Sequence, residues 1–398
     1  MVSQVPPDQK VSVLADAPDW SWLENAAGVF TRTEFEAALQ TVYAPEDAAR
    51  GCIQVQPHAV RIRVHGDEWR EISFAPEGRS PSARFPRFWR TAGELPAAPV
   101  ERPLKGLHIA LDPGHLGGQW ARMEERFFQV GKSRPVTEGD LTLAVARRLQ
   151  PQLERLGARV TVLRSGDHPV TRERPKSLLA AAEKDLDPGA GAKKIQVHSE
   201  LMFYRISEIR ARAHLVNEKV RPDIVVCLHF NAEDWKDPIN PKLLPRNHLH
   251  ALINGCYGLR ELEWDDVRSE MLEHLFSRSD AESLGLTESV VDALAEGSGL
   301  PPFTYFSSNA RRIGESPYVY TRNLLANRLY RSPVVFLEPY VMNSESVWKR
   351  VQLGDYSGQR LVDGVRQSSL VREYADSVAE GIARYYRARR PLLSAGHR

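Results

Sequence analysis

Three short apolar runs, far apart in the chain, each end in a polar residue able to bind a metal or move a proton. Leu107-His108-Ile109-Ala110-Leu111 halts at Asp112-Pro113-Gly114 and is followed by His115. Residues 224–228 are followed by His229, and residues 334–337 by Glu338. Apolar runs of this length, bounded by turn chemistry, read as buried strands. In an open α/β sheet, ligands bind beyond the carboxyl ends of the strands. These three ends are therefore expected to converge on one site.

From Leu104 onward, strand-like and helix-like stretches alternate. That pattern predicts a mainly parallel sheet covered on both faces. Leu141, Val145, Leu149, Leu153 and Leu156 recur at helical spacing, with Gly157 as a stop. Pro151 predicts a kink or break within that helix. Residues 158–163 read as the next strand. Residues 173–206 read as an insertion, after which a helix resumes over 208–219. Residues 235–250, rich in Pro and Asn, form an irregular segment directly after His229. Helical sequence follows over about 265–294, then residues 318–323, the run ending at Glu338, and an amphipathic helix over 370–386.

The first 100 residues read as a separate small α+β domain with a linker. Thr33-Glu34-Phe35-Glu36 fits a capping box, and Phe35, Leu39 and Val42 follow at helical spacing. Residues 59–64 alternate as a half-buried strand does, and 69–74 suit its hairpin partner. Residues 75–103, with several Pro, Gly and Ser, read as linker. The expected division is 1–100 and 104–390, the second carrying insertions near 173–206 and 235–275.

At 398 residues the chain exceeds the usual single-domain size, and 42% hydrophobic residues suffice for a full core. A net charge of +2 is too balanced for a nucleic-acid footprint. The arginines over 384–390 suit a helix C-terminus. Cys52, Cys227 and Cys256 are too few and scattered for a disulfide framework, and Cys227 reads as a small core residue. No apolar run is long enough to span a bilayer. The first residues lack the apolar core of a signal peptide. The chain is thus expected to be cytoplasmic, or numbered from after a removed export signal.

Hydrolytic zinc sites take three protein ligands from His and Asp/Glu and keep one position open. His115 and His229 offer two nitrogens, and Glu138, at the start of the helix, is the natural third ligand. Glu338 could take a proton from water and return it to a leaving amine. Asp112 is placed to orient a ligand from behind. Each residue alone has an ordinary reading, as a turn histidine, a helix-start carboxylate or a strand end. Their joint recurrence at three strand ends is what points to chemistry.

These residues resemble those of the zinc-dependent N-acetylmuramoyl-L-alanine amidases. The likeness runs through Leu111-Asp112-Pro113-Gly114-His115 with Gly117-Gly118, Glu138, and Val160-Thr161-Val162-Leu163-Arg164-Ser165-Gly166-Asp167. It continues through Arg212 with Asn217, Asp223, Cys227-Leu228-His229-Phe230-Asn231-Ala232, and Phe336-Leu337-Glu338 with Asn343. The resemblance implies a twisted mixed sheet flanked by helices, with Zn2+ on His115, Glu138 and His229 and with Glu338 catalytic. It further implies a peptidoglycan or muropeptide substrate and a periplasmic or extracellular site of action. Leu116 interrupts the family's glycines after the histidine, and the gap to Glu138 is long, so Glu124 and Glu125 are rival third ligands. His248 and His250 could reach the metal, but a surface loop is the expected setting for them. Two other functions stay open: a zinc peptidase cutting another amide, and a metal-free protein that binds wall glycan or a partner enzyme.

Overall fold

The computed structural model describes residues 9–235, 237 and 241–393. Its centre is a seven-stranded sheet built from β1 (His108–Pro113), β2 (Arg159–Val162), β3 (Ile224–Leu228), β4 (Leu249–Ile253), β5 (Arg311–Arg312), β6 (Val319–Thr321) and β7 (Val334–Pro339), in the order β5-β6-β4-β7-β3-β1-β2. The four strands β7, β3, β1 and β2 run parallel. Strand β4 is antiparallel to β7, β6 is parallel to β4, and β5 closes the edge antiparallel to β6. The sheet is mainly parallel, as the alternation of elements implied, and mixed, as the resemblance implied.

Both faces are covered, which explains why the central strands are apolar throughout rather than alternating. All five residues of β3, and all five of β4, are buried. Ile109, Leu111, Val226, Leu228, Val335 and Leu337 pack on one face against α1 (Glu138–Arg155), α3 (Ser279–Ser298) and α4 (Leu370–Arg389). Ala110, Val225, Cys227, Leu252 and Phe336 point the other way, onto Ala213 and Val216. The three cysteines are buried and unbridged.

Four local expectations change. Helix α1 passes through Pro151 without a break, because that proline sits on its exposed side and the buried positions on either side, Leu149 and Leu153, hold the helix on the sheet. The helix expected to resume at 208 instead starts at Ala192 and continues through π-type turns to Val220, where Arg221 ends it in a left-handed conformation. No Gly or Pro interrupts that span. The capping box belongs to Thr31 and Glu34, two residues before the pair read from sequence. The helical stretch over 265–294 divides at Arg278 into α2 (Asp265–Ser277) and α3, since Arg278 adopts a positive φ.

The N-terminal elements include the expected hairpin, Ala59–His65 with Glu68–Ser73. Phe35, Leu39, Tyr43, Val60 and Ile62 share one core with Val267, Met271, Leu275 and Phe276 of α2. Arg268, fully buried between them, donates to the carbonyls of Arg63, Val64 and Leu262. Among the described residues, no helix is long and apolar enough to cross a membrane.

Candidate active site

His115, Glu138 and His229 meet beyond the carboxyl ends of β1 and β3, with one ligand atom from each lying within 4.8 Å of the others. His115 Nε2 is 3.2 Å from Glu138 Oε2, and His229 Nδ1 is 3.2 Å from Glu138 Oε1. The imidazole centroids are 5.3 Å apart with planes at 84°.

Local structure places each group. Gly114 is required because a Cβ there would stand 2.2 Å from the His229 ring. His115 follows at φ 59°, a left-handed conformation that costs a non-glycine residue energy and is held by its surroundings. Arg212 donates to the His115 and Pro113 carbonyls at 3.1 and 2.9 Å. Glu138 occupies the first turn of α1, where the helix dipole favours a carboxylate, and its Oε1 accepts the Phe230 N–H at 3.1 Å. The His229 ring stacks on Phe336 at 4.4 Å, and its backbone is fixed by Leu337 and Tyr374.

Asp112 does not touch either imidazole. It pairs with Arg212 at 2.8 Å and accepts from the Tyr330 hydroxyl, so it anchors the arginine that holds the turn rather than orienting a ligand directly. Arg164 performs a similar service that its place in the motif did not reveal. Buried at the end of β2, it donates to the carbonyls of Pro113, Gly114 and Gly139, tying the His115 turn to the start of α1. Burial pulls its guanidinium down to about 10.

The rival carboxylates are occupied elsewhere. Glu124 is buried and accepts the N–H groups of Leu116 and Gly117, its Oε1 lying 3.6 Å from His115 Nδ1. It is therefore set behind the His115 ring. Glu125 is 72% exposed and faces Arg205. The long gap between His115 and Glu138 also contributes Arg126, a residue the sequence reading did not single out. Its Nε is 3.3 Å from His115 Nε2 and 3.2 Å from Glu138 Oε2.

Two carboxyls at this end of the sheet are driven in opposite directions. Burial works to raise Glu138, but His115, His229 and Arg126 outweigh it and hold the group at about 2. Burial raises Glu338 to about 7, with Glu138 adding and with His229, Arg126 and Arg322 opposing. Burial lowers His229, but hydrogen bonding to Glu138 and the charges of Glu338 and Glu138 raise it overall. A pair split in this way suits one permanently ionised ligand and one proton carrier.

His248 and His250 are buried rather than at a loop surface, and neither belongs to the His-Glu-His group. Strand β4 carries His250 into the sheet, and both rings pack on Phe303 at 4.6 and 5.0 Å. The irregular stretch before β4 hid this, because its composition resembles loop until the strand is paired. A large cavity, about 1260 Å³, lies between residues 14–25, residues 85–89, the helix over 192–220 and α2. None of the four candidate residues lines it.

Residues 109–240 match the family model described as N-acetylmuramoyl-L-alanine amidase. No curated protein matches the chain. Among solved structures, it is similar to the N-acetylmuramyl-L-alanine amidase Ami1 of Mycobacterium smegmatis, at 17% identity over 72% of this chain and 99% of that one, with a TM-score of 0.39. It is also similar to AmiC2 of Nostoc punctiforme, at 14% identity over 71% and 98% with a TM-score of 0.38. The catalytic domain of CwlV from Bacillus (Paenibacillus) polymyxa gives 14% identity over 70% and 97%, with a TM-score of 0.37.

Proposed function

We propose that the chain is a zinc-dependent amidase, a reading supported by the match of residues 109–240 to the N-acetylmuramoyl-L-alanine amidase model. Its substrate in this reading is the amide between the lactyl group of N-acetylmuramic acid and L-alanine, in peptidoglycan or its fragments. The observation that carries the proposal is the meeting of His115, Glu138 and His229 at one point, and burial pushes the neighbouring Glu338 carboxyl up to about 7. Two imidazole nitrogens and one carboxylate oxygen are a donor set that zinc takes in hydrolases, and Gly114 keeps clear the space around the His229 ring. Zinc bound there supplies Lewis acidity, which polarises a carbonyl and eases ionisation of water.

The chain's own residues supply positioning and proton transfer. Ionised Glu338 takes a proton from the attacking water as its oxygen bonds to the carbonyl carbon. The same proton then passes to the amide nitrogen as the C–N bond breaks. The products are a lactyl carboxylic acid and a free amine on L-alanine. Glu138 stays ionised throughout, while Glu124, Arg212 and Arg164 hold the His115 turn in register. We assign this work to residues 104–390 and a supporting α+β unit to 1–100. A wall substrate places the reaction in the periplasm or outside the cell.

Arg126 favours a second reading. A guanidinium against His115 and Glu138 satisfies them without an ion, as a metal-free binding protein would require. Metal analysis of the purified chain without chelators separates the two: about one zinc per chain supports the amidase mechanism, and far less overturns it. Mass analysis of products from a defined muropeptide identifies the amide that is cut and tests against a zinc peptidase.

A further inference from the structure

A strip of side chains leads away from His229 across the antiparallel half of the sheet. Phe336 stacks on His229, Glu338 follows two residues later on the same strand, and His250 is paired directly opposite Glu338 on β4. Directly opposed residues share a sheet face with their Cβ atoms about 5 Å apart. Beyond His250 stands Tyr305, its hydroxyl 2.9 Å from His250 Nε2. Arg322, just past β6, donates to the same hydroxyl at 3.3 Å and lies over the Tyr305 ring at 5.6 Å.

The hydrogen-bond polarity along this strip is fixed by chemistry. Arginine only donates, so the Tyr305 oxygen accepts from Arg322 and its own O–H is free to donate to His250 Nε2. Burial, with the charges of His248 and Arg322, holds the His250 ring neutral, down to about 3. The proton of that neutral ring then sits on Nδ1, which is buried and has no hydrogen-bond partner among the described residues; His250 as a whole is 3% exposed. Arg322 is half-buried and makes no ion pair with a described carboxylate, yet it is near enough to Glu338 to pull that carboxyl down. Phe303 and Tyr320, 4.8 and 5.0 Å from Tyr305, hold the arrangement rigid.

A guanidinium lying over the Tyr305 ring, in no ion pair with a described carboxylate and set beside the proton carrier, is built to receive an anion from outside. We propose that Arg322 and Tyr305, supported by His250, form a carboxylate-binding subsite for the peptide portion of the substrate. This rests on the amidase reading. In such a substrate the lactyl carboxyl is consumed in the amide, so the free carboxylates lie on the peptide side.

The test uses the full chain carrying Glu338→Gln, so that ligand is not turned over. N-acetylmuramoyl-L-alanyl-D-glutamate and the same compound with both glutamate carboxyls as carboxamides are titrated by calorimetry. The acid form is expected to bind tighter by roughly tenfold or more, the usual effect of one charge-assisted hydrogen-bonded pair. Adding Arg322→Ala should abolish the preference, Arg322→Lys should keep part of it, and Tyr305→Phe should weaken it while leaving the ring in place. Unchanged melting temperatures in these variants keep the comparison free of folding defects. Equal binding of the two forms, binding of neither, or a preference that survives Arg322→Ala overturns the subsite. Turnover of the acid form by the unsubstituted chain judges the amidase reading separately. Cleavage without acid preference removes the subsite alone, and acid preference without cleavage removes the amidase reading alone.

Discussion

Two pairs of histidines stand at neighbouring strand ends, and their surroundings give them opposite characters. His115 and His229 face the shared carboxylate of Glu138, and His229 is pushed up because hydrogen bonding and negative charge outweigh its burial. His248 and His250 pack on Phe303, and burial pushes both down. The residue type is the same, and so is the sheet. In the proposed zinc site the first turn of α1 delivers one buried carboxylate to both imidazoles, whereas His248 meets Glu233 singly at 3.2 Å and His250 meets the Tyr305 hydroxyl instead.

Removing one histidine from each pair separates the two environments. His229→Ala is expected to reduce zinc from about one per chain to near none and to abolish amide cleavage, whereas His248→Gln should leave zinc content unchanged; metal analysis of both variants decides. Glu338→Ala comes next. It should retain metal yet lose roughly 10²–10⁴-fold in muropeptide turnover, the range for a lost proton carrier. Unchanged turnover would remove Glu338 from the reaction. Gly114→Ala forces a methyl group into the His229 ring and should weaken zinc binding by roughly 10–100-fold, as disturbed outer support does, in a chelator competition assay.

The smallest effect concerns pH and stability in the metal-free chain. Glu338 titrates near 7 in the folded protein against an ordinary 4.5, so its ionisation opposes folding. The cost is absent below 4.5, grows as pH rises, and is complete above 7. Glu338→Gln should therefore melt at the same temperature as the unsubstituted chain in acid and higher at pH 8. Glu138 has the opposite sign: held at about 2, it contributes stability above 4.5 that is lost as pH falls towards 2. Glu138→Gln should melt lower than the unsubstituted chain at pH 7. For turnover, loss of activity on acidification through or below 7 is the expected limb of Glu338 acting as base, since a bound cation would pull its titration down.

Much of the fold was legible in short-range pattern. Continuous apolar runs marked β1, β3 and β7 because both sheet faces are covered, and the leucine spacing of α1 followed from its single buried stripe. Less legible were features set by contacts distant in sequence. Pro151 is tolerated because its outer position leaves the buried stripe intact. Strand β4 was hidden in a segment of loop-like composition until β7 and β6 paired with it. Arg126 stands out as no more than a single charged residue, and Arg164 belongs to a quoted motif that assigns it no role. Their part is visible only once the turn after β1 and the start of α1 are brought against them.

The sequence by itself determined the parallel strands, the helices between them and the identity of the side chains at the strand ends, because periodicity and turn chemistry act over a few residues. Only the tertiary structure decided which carboxylate stands between the two imidazoles, which histidines stay neutral among aromatic rings, and which arginines face the site. The physical reason is that burial and charge depend on groups that sequence separates by tens to hundreds of residues. Glu124 and Glu138 are alike as carboxylates, but the N–H groups of Leu116 and Gly117 hold Glu124 behind the His115 ring, whereas Glu138, with the single N–H of Phe230, stands between His115 and His229.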